Sequence, residues 1–389
     1  MSSFLYDVCV IGGGGHVGFP LGLMFASKNK KTVLYDLNKE ILNKIKKAEI
    51  PFKEDFAKTY LKKYKKNIFL SSDFEILSKC KFLVVCIGTP VNKLTLEPEL
   101  KPFYDFFFKL KKKIKKDQHI VIRSSVQIGS IKKIYNILSK KNKNITYCPE
   151  RIVQGKSLKE LPALPQIISG YSINSLSEVK KLFKKICRKI ILTSVVEAEL
   201  IKLFTNSYRY INFSISNQLF MMCEQLGINF KEIRKKMREG YERTFAMPSA
   251  GFAAGPCLLK DTLQVSNYFD HKFTLGNAAI DINENLPNFL FKRLKQKFNL
   301  KKKIVGVLGM SFKAETDDIR DSLSIKFIEI LKKNNIKYMQ SDEYYKNINN
   351  VSIEHLIKKS HIIIIGVPHK KYKLIKIPKN KFIINLWDY

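Results

Sequence analysis

The hydrophobic pattern of the first 190 residues alternates short apolar runs with stretches of helical periodicity. A buried strand is predicted at 6–12 (YDVCVIG), followed by a glycine-rich turn and the apolar helix start VGFPLGLMFAS. Further strands are predicted at 31–36, 81–90, 119–125 and 144–150. Strands separated by helical patterns favour a parallel, doubly wound sheet.

A long helix is predicted in the middle of the chain, because no glycine or proline occurs between Gly170 and Gly227. From about Val195 to Leu226 the apolar residues recur at helical spacing. About 30 residues with a rise of about 1.5 Å each give a helix of about 45 Å, long enough to run from one domain into another. Its apolar residues exceed the needs of one small domain and predict a dimer interface at Leu203, Tyr210, Phe213, Leu219 and Phe220.

A second α/β pattern occupies the last part of the chain. It opens with a strand at 301–312, continues through the helix SLSIKFIEILKKN, and includes strands at 361–368 and 382–387. The predicted fold class is therefore α/β, with two doubly wound Rossmann-like domains joined by a long central helix and a helical region. The predicted domains are 1–194, 195–297 and 298–389.

Composition places the chain among globular proteins, with 45% hydrophobic and 27% charged residues. No apolar run is long enough for a transmembrane span, and the N-terminus lacks the basic region of a signal peptide. The seven cysteines are scattered without a CxxC pair. This usage predicts a reducing, cytoplasmic compartment with neither a disulfide framework nor a metal site.

The net charge of +36 raises the question of nucleic-acid binding. Lysine is spread over the whole chain, and the densest run, 109–116 (KLKKKIKK), has apolar residues at helical spacing. This run is interpreted as one solvated helix face, so neither a nucleic acid nor a membrane is expected as partner. The charge should still favour anionic ligands.

A glycine-rich motif, Gly13-x-Gly15-x-x-Gly18, lies between the first strand and the first helix, with His16 and Val17 inside it. Glycines at this spacing allow a pyrophosphate to approach the amino terminus of the helix. Asp36 ends the second strand, where a carboxylate binds the ribose hydroxyls of NAD and repels the additional phosphate of NADP. The motif predicts an NAD site.

Two further patterns could carry chemistry. Cys257 lies in GFAAGPCLLKD, four residues before Asp261, an arrangement suited to a thiolate that attacks an aldehyde. A buried structural cysteine is the alternative. Lys202 and Asn206 are spaced i, i+4 on the long helix, where they could form an oxyanion site or simply the half-exposed edge of a helix.

Taken in order, these motifs resemble the UDP-glucose/GDP-mannose dehydrogenase family over essentially the whole length. The matching stretches are VIGGGGHVGFPLG, VVCIGTPV, RSSVQIGS, YCPERIVQGKSL, EAELIKLFTNS, GFAAGPCLLKD, NENLP and VLGMSFKAETDDIRDS. The resemblance implies an NAD-binding domain, a central helical dimerisation region and a C-terminal UDP-sugar-binding domain. It also implies the oxidation of a sugar alcohol through the aldehyde to the acid, yielding a precursor of surface polysaccharide.

The resemblance also implies roles for individual residues. Cys257 would form a thiohemiacetal and then a thioester, with Asp261 as its partner, while Lys202 and Asn206 would hold the sugar oxygen. The other residues with an implied role are Glu150 and Ser125 for catalysis, Thr89, Lys260 and Arg320 near the cofactor, and Lys313, Gly251, Phe252 and Arg243 at the sugar nucleotide, Arg243 by reaching across a dimer.

This chain departs from the family pattern at several of these positions. Ser125 stands where threonine is usual, and Gln154 replaces the second acidic residue of its loop. Ala253 and Ala254 replace glycines in a loop one residue shorter than usual. The form GFAAGPCL resembles that of N-acetylhexosamine-type members.

Two other functions stay open at this point. A two-electron dehydrogenase of the β-hydroxyacid type would release one NADH for each substrate instead of two. A non-catalytic homologue that binds nucleic acid or another anion would show salt-dependent affinity without turnover.

Overall fold

The computed structural model describes residues 4–92, 95 and 97–387. The chain forms two compact units, Met1–Phe204 and Thr205–Tyr389. The strands are β1 (Tyr6–Ile11), β2 (Thr32–Tyr35), β3 (Ile68–Ser71), β4 (Cys80–Val85), β5 (His119–Ile122), β6 (Ile145–Tyr147), β7 (Gln166–Gly170), β8 (Ile190–Leu192), β9 (Ile304–Leu308), β10 (Lys337–Ser341), β11 (Ile362–Ile365) and β12 (Phe382–Asn385).

The α-helices are named in the same way. They are α1 (Gly18–Ser27), α2 (Lys39–Lys46), α3 (Ala57–Lys63), α4 (Lys101–Lys113), α5 (Ser130–Leu138), α6 (Ser157–Ala163), α7 (Ile173–Lys184), α8 (Val195–Leu226), α9 (Phe230–Arg238), α10 (Leu258–Tyr268), α11 (Thr274–Lys297), α12 (Leu323–Lys333) and α13 (Ile353–Lys359). Within the described residues, no helix is long and apolar enough to cross a membrane.

The first unit is built on a sheet with the strand order β3-β2-β1-β4-β5-β6-β7-β8. Strand β1 pairs in parallel with β2 and β4, and both faces of the sheet are covered by apolar clusters. The predicted doubly wound sheet is confirmed, with one difference: β7 runs antiparallel to β6. No local residue pattern predicts this antiparallel pairing, because the direction of a strand is set by its tertiary partners.

The second unit contains a smaller parallel sheet with the order β10-β9-β11-β12. Leu331 of α12 and Leu290 of α11 are buried with Val305 of β9 in one cluster, and Leu356 of α13 is buried with Ile363 of β11 in another. Both faces of this sheet are therefore covered, as in a Rossmann-like domain. The predicted second α/β domain is confirmed, whereas the three-part division of the chain stays a prediction.

Helix α8 has 32 residues and the bounds predicted from the sequence. Its length is about 48 Å, and the division between the two units falls inside it, after Phe204. Three of the predicted dimer-interface residues were wrong, because Leu203, Tyr210 and Phe220 are buried within the chain itself. Phe213 and Leu219 are only partly buried there, and their place in an interface stays a prediction. The exposed apolar residues of α8 are Val196, Phe204, Tyr208, Ile215, Met222 and Leu226.

The lysine-rich segment 109–116 is only partly helical, since α4 ends at Lys113. The buried face of α4 consists of Phe103, Phe107 and Leu110. The lysines lie away from these residues, which agrees with the interpretation of a solvated face.

Candidate active site

The glycine-rich turn after β1 is packed too tightly for side chains at several positions. A Cβ atom on Gly18 would lie 2.1 Å from the carbonyl oxygen of Gly12, and one on Gly13 would lie 2.7 Å from Cα of Leu34. Gly12 itself has a φ of 80°, in the left-handed region that favours glycine. The turn therefore brings bare backbone to the amino terminus of α1, where an anion is favoured.

Asp36 follows β2 directly and is held against this turn. Its Oδ2 accepts a hydrogen bond of 2.9 Å from the backbone N–H of Gly14, and its Oδ1 accepts one of 3.0 Å from that of Asn38. The carboxylate stays partly exposed. A bare glycine turn at a helix terminus beside a fixed, accessible carboxylate fits the pyrophosphate and ribose of NAD.

The other residues expected near the cofactor lie around this turn or bind protein groups. His16 packs on Phe52 with 3.9 Å between ring centroids, and Nε2 of Gln154 lies 2.9 Å from its Nδ1. Val17 precedes α1 as its cap. The buried Thr89 hydroxyl donates a hydrogen bond to the carbonyl oxygen of Ser125. Gln154, a departure from the family pattern, is thus placed against the glycine-rich turn.

Glu150 lies in the loop after β6, with nearly all of its surface buried. Its Oε1 accepts hydrogen bonds of 2.7 and 3.0 Å from the backbone N–H groups of Arg151 and Ile152. Its Oε2 is paired with the guanidinium of Arg123. Arg123 was not predicted as a site residue, although a charged residue at the end of an apolar strand (HIVIRSS) was a usable signal.

Cys257 caps the amino terminus of α10 and is exposed, whereas the other six cysteines are buried or half-buried. The positive end of a helix favours an anion such as a thiolate. One turn further along, Asp261 is fully buried and accepts a hydrogen bond of 2.6 Å from Nδ2 of Asn206. Its other oxygen lies 3.1 Å from Nζ of Lys260. Lys202, one turn before Asn206 on α8, is also buried.

The loop before Cys257 is anchored by a buried asparagine. The side chain of Asn217 accepts a hydrogen bond of 2.8 Å from the N–H of Gly251 and donates one of 3.1 Å to its carbonyl oxygen. A Cβ atom on Gly251 would lie 2.5 Å from the ring of Trp387. Phe252 is only 2% exposed. Gly251 and Phe252 are thus both buried within their own unit.

Arg320 lies near the thiol, on the loop between β9 and α12. Its guanidinium binds both carboxylate oxygens of Asp318, at 2.6 to 3.0 Å. This ion pair, together with the charges of Cys257 and Asp321, raises the pKa of Arg320 although burial opposes the shift. Lys313, on the same loop, is half-buried, and its carbonyl oxygen accepts a hydrogen bond of 2.9 Å from the Ser311 hydroxyl.

Arg243 lies in a short 3-10 turn after α9 and is exposed. Its Nη1 donates a hydrogen bond of 3.2 Å to the hydroxyl of Tyr241, over whose ring the guanidinium packs. An exposed arginine held over an aromatic ring is available to a ligand or to another chain.

Asp342 follows β10 as Asp36 follows β2, but its surroundings differ. Its Oδ2 accepts hydrogen bonds of 2.5 and 3.1 Å from the N–H groups of Met310 and Ser311, and Nε2 of His369 lies 3.3 Å away. The side chains of Asp342 and His369 are fully buried. Burial alone would raise the pKa of Asp342, but the contact with His369 and the backbone hydrogen bonds together outweigh burial, and the pKa is lowered. This second acidic residue is occupied by groups of its own unit.

Residues 6–187 match the NAD binding domain of the UDP-glucose/GDP-mannose dehydrogenase family, residues 196–285 its central domain and residues 306–387 its UDP binding domain. A UDP-N-acetyl-D-mannosamine dehydrogenase of Pyrococcus horikoshii is 27% identical over 96% of this chain and 93% of its own length. A UDP-glucose 6-dehydrogenase of Rickettsia prowazekii is 27% identical over 89% of this chain and 81% of its own.

A solved structure of the UDP-D-ManNAc dehydrogenase from Pyrococcus horikoshii matches with a TM-score of 0.88 and 25% identity over 98% of this chain and 95% of its own. A UDP-glucose dehydrogenase from Pyrobaculum islandicum has the same fold, with a TM-score of 0.88 at 18% identity, over 99% of this chain and 95% of its own. The predicted family and the predicted cofactor, NAD, are confirmed.

Proposed function

We propose that this chain, which belongs to the UDP-glucose/GDP-mannose dehydrogenase family, oxidises C6 of a UDP-linked hexose or N-acetylhexosamine to the uronic acid, using NAD twice. The observation that carries this proposal is the environment of Cys257. An exposed thiol at a helix terminus stands one turn from a buried carboxylate that is held by an amide and an ammonium group.

Each residue has a chemical task in this reaction. NAD, which the glycine-rich turn and Asp36 would hold, would accept one hydride in each oxidation. After the first oxidation, Sγ of Cys257 bonds to C6 of the aldehyde, which gives a thiohemiacetal. The second oxidation converts it to a thioester, and water then cleaves the C–S bond to release the carboxylate and the free thiol. Lys202 and Asn206 stabilise negative charge on the sugar oxygen.

Water and protons are handled by the carboxylates in this proposal. Glu150 acts as acid/base through water, with the Ser125 hydroxyl beside it in the family pattern. Asp261 orients Asn206 through their hydrogen bond and balances the charge of Lys260. Lys313, Arg243 and the backbone of the 251–252 segment are proposed to hold the sugar nucleotide.

An N-acetylhexosamine is the favoured substrate, because the loop GFAAGPCL resembles that of such family members. The relatives named as UDP-N-acetyl-D-mannosamine dehydrogenases support this choice. We propose further that the chain has an NAD-binding, a central and a sugar-binding domain with the predicted bounds. The enzyme would work as a homodimer in the cytoplasm, making a precursor of surface polysaccharide.

The experiment that tests the proposal is a screen for NADH release with UDP-glucose, UDP-N-acetylglucosamine, UDP-N-acetylmannosamine and GDP-mannose. Two NADH for each sugar consumed, with the uronic acid identified by mass spectrometry, support the proposed reaction. One NADH for each substrate would favour a two-electron dehydrogenase instead, and no NADH with any sugar would refute the proposal.

A further inference from the structure

Arg123 is a buried charge that no part of the proposed reaction uses. It follows β5 directly, and its side chain is 0% exposed. A guanidinium stays charged in proteins, and a charge taken out of water must be compensated. Nη1 of Arg123 donates a hydrogen bond of 2.8 Å to Oε1 of Gln166, and its Nη2 is paired with the Glu150 carboxylate.

The surroundings of Arg123 leave this carboxylate as its counter-charge. The guanidinium packs over the Phe183 ring, 5.2 Å from the centroid. Burial raises the pKa of the neighbouring thiols Cys86 and Cys148 to about 12, although the charge of Arg123 opposes the shift. These thiols are therefore neutral near pH 7. The other titratable groups near the guanidinium are Cys187 and Tyr147.

Glu150 in turn has polar contacts at both carboxylate oxygens, hydrogen bonds at Oε1 and an ion pair at Oε2. Two backbone N–H groups, from Arg151 and Ile152, bind Oε1, while the guanidinium of Arg123 binds Oε2. Donors of this kind favour the ionised form of a carboxylate and fix its orientation. The side chain of Glu150 nevertheless keeps 11% of its surface exposed. Its Oε2 is buried, so a water molecule would have to reach the carboxylate at Oε1.

We propose that Arg123 is a positioning residue that keeps Glu150 ionised and in one orientation, so that Glu150 accepts a proton during hydrolysis. This inference rests on the proposed function. In the hydrolysis step, a water O–H bond breaks and its proton passes to the Glu150 carboxylate. The water oxygen bonds to the thioester carbon, the C–S bond breaks, and the thiolate of Cys257 leaves. Glu150 then returns its proton to solvent.

The experiment compares Arg123→Met and Arg123→Lys with the unaltered enzyme over about pH 5 to 9. Removing a cation from a carboxylate favours the protonated form, so the acid limb of the kcat profile should move to higher pH by about one to three units in Arg123→Met. Arg123→Lys keeps a charge but loses the fork geometry and should shift the limb less. KM for the sugar nucleotide and for NAD should change less than about threefold.

A double-variant cycle separates positioning from a structural role. In the background of Glu150→Gln, the change Arg123→Met should have no further effect on kcat of the folded enzyme. A loss of equal size in both backgrounds, or an acid limb that does not move, would overturn the inference. Lys81→Met is the matched control, because Lys81 forms an ion pair of 2.8 Å with Glu178 in the same unit. It should leave the profile unchanged.

Two further readouts make every outcome decisive. Where Arg123→Met does not fold, Arg123→Lys carries the test, and an unshifted limb in that variant counts against the inference. The carboxyl carbon of Glu150, identified by its absence from the carbon-13 NMR spectrum of Glu150→Gln, can be titrated without turnover. If the unaltered chain oxidises no sugar nucleotide, the proposed function fails, while this titration still tests the effect of Arg123 on Glu150.

Discussion

Cys257 is the residue whose replacement distinguishes a covalent mechanism from a structural role. In Cys257→Ser the hydroxyl is a far weaker nucleophile, so the second oxidation should be blocked more severely than the first. We expect turnover to fall by at least about a thousandfold, equivalent to about 4 kcal/mol of activation free energy. The measurement is NADH release for each folded molecule, with mass spectrometry to detect a trapped acyl adduct.

The half-buried Cys223 provides the matched control for that variant. Cys223→Ser removes a thiol from the same unit and should retain nearly full turnover for each folded molecule. If Cys257→Ser kept more than about a tenth of normal turnover, the thioester mechanism and the four-electron reaction would both have to be abandoned.

Asp36 should decide the choice between NAD and NADP. Its carboxylate is fixed beside the glycine-rich turn and would repel a 2′-phosphate. We expect a strong preference for NAD, measured as the ratio of kcat/KM values, and the loss of that preference in Asp36→Ala. Asp7→Ala, which removes a carboxylate paired with Lys30, should leave the ratio unchanged. Equal kcat/KM values for NAD and NADP in the unaltered enzyme would contradict this role of Asp36.

The positions of single residues relative to one another could be predicted where one local motif contains them. The glycine-rich turn and Asp36 are adjacent elements of one motif, so their proximity follows from the sequence. Asn217, Arg123 and His369 were not predicted. Each is a buried polar residue whose partner lies far away along the chain, as in the pair of Asn217 and Gly251. Such pairs are fixed by tertiary packing, which no local pattern records.

At the scale of elements, α8 carries the prediction about assembly. Its exposed apolar residues recur at spacings of four and seven and form one stripe along the helix: Phe204, Tyr208, Ile215, Met222 and Leu226. A stripe of this kind is characteristic of a helix that packs against another chain.

We expect a mass near twice 45.1 kDa in solution and a monomer when Ile215→Glu and Met222→Glu are combined, because two buried carboxylates would destabilise the interface. Light scattering after gel filtration measures both. Ile348→Glu, at a residue that is 98% exposed, is the control and should leave the mass unchanged. A monomeric unaltered chain at micromolar concentration would rule out the dimer.

Long, strongly periodic elements were predicted with good bounds, α8 above all. Strands β3, β7, β8 and β10 were not predicted. β8 has three residues, and β10 reads KYMQS, with polar residues at three of five positions. Both are too short or too polar for periodicity to separate them from loops.

At the scale of the whole molecule, the two sheet units were predicted from the return of the strand–helix pattern after a long helical stretch. The net charge of +36 predicted little about the location of binding sites, because the lysines are spread over the whole chain. It remains compatible with two phosphorylated ligands, NAD and a sugar nucleotide.

The contrast between Asp36 and Asp342 has a consequence for how the enzyme would work through a reaction cycle. Among the described residues, the carboxylate after β10 is enclosed by its own loop and His369, while the one after β2 stays accessible. The described residues therefore offer a single accessible acidic site for a dinucleotide, yet the proposed reaction removes two pairs of electrons from every sugar. In that reaction the enzyme would have to exchange NADH for NAD between the two oxidations while the sugar aldehyde stays bound. A covalent bond to Cys257 would retain the intermediate during this exchange. The turnover rate would then depend on how fast NADH leaves the site and NAD enters it.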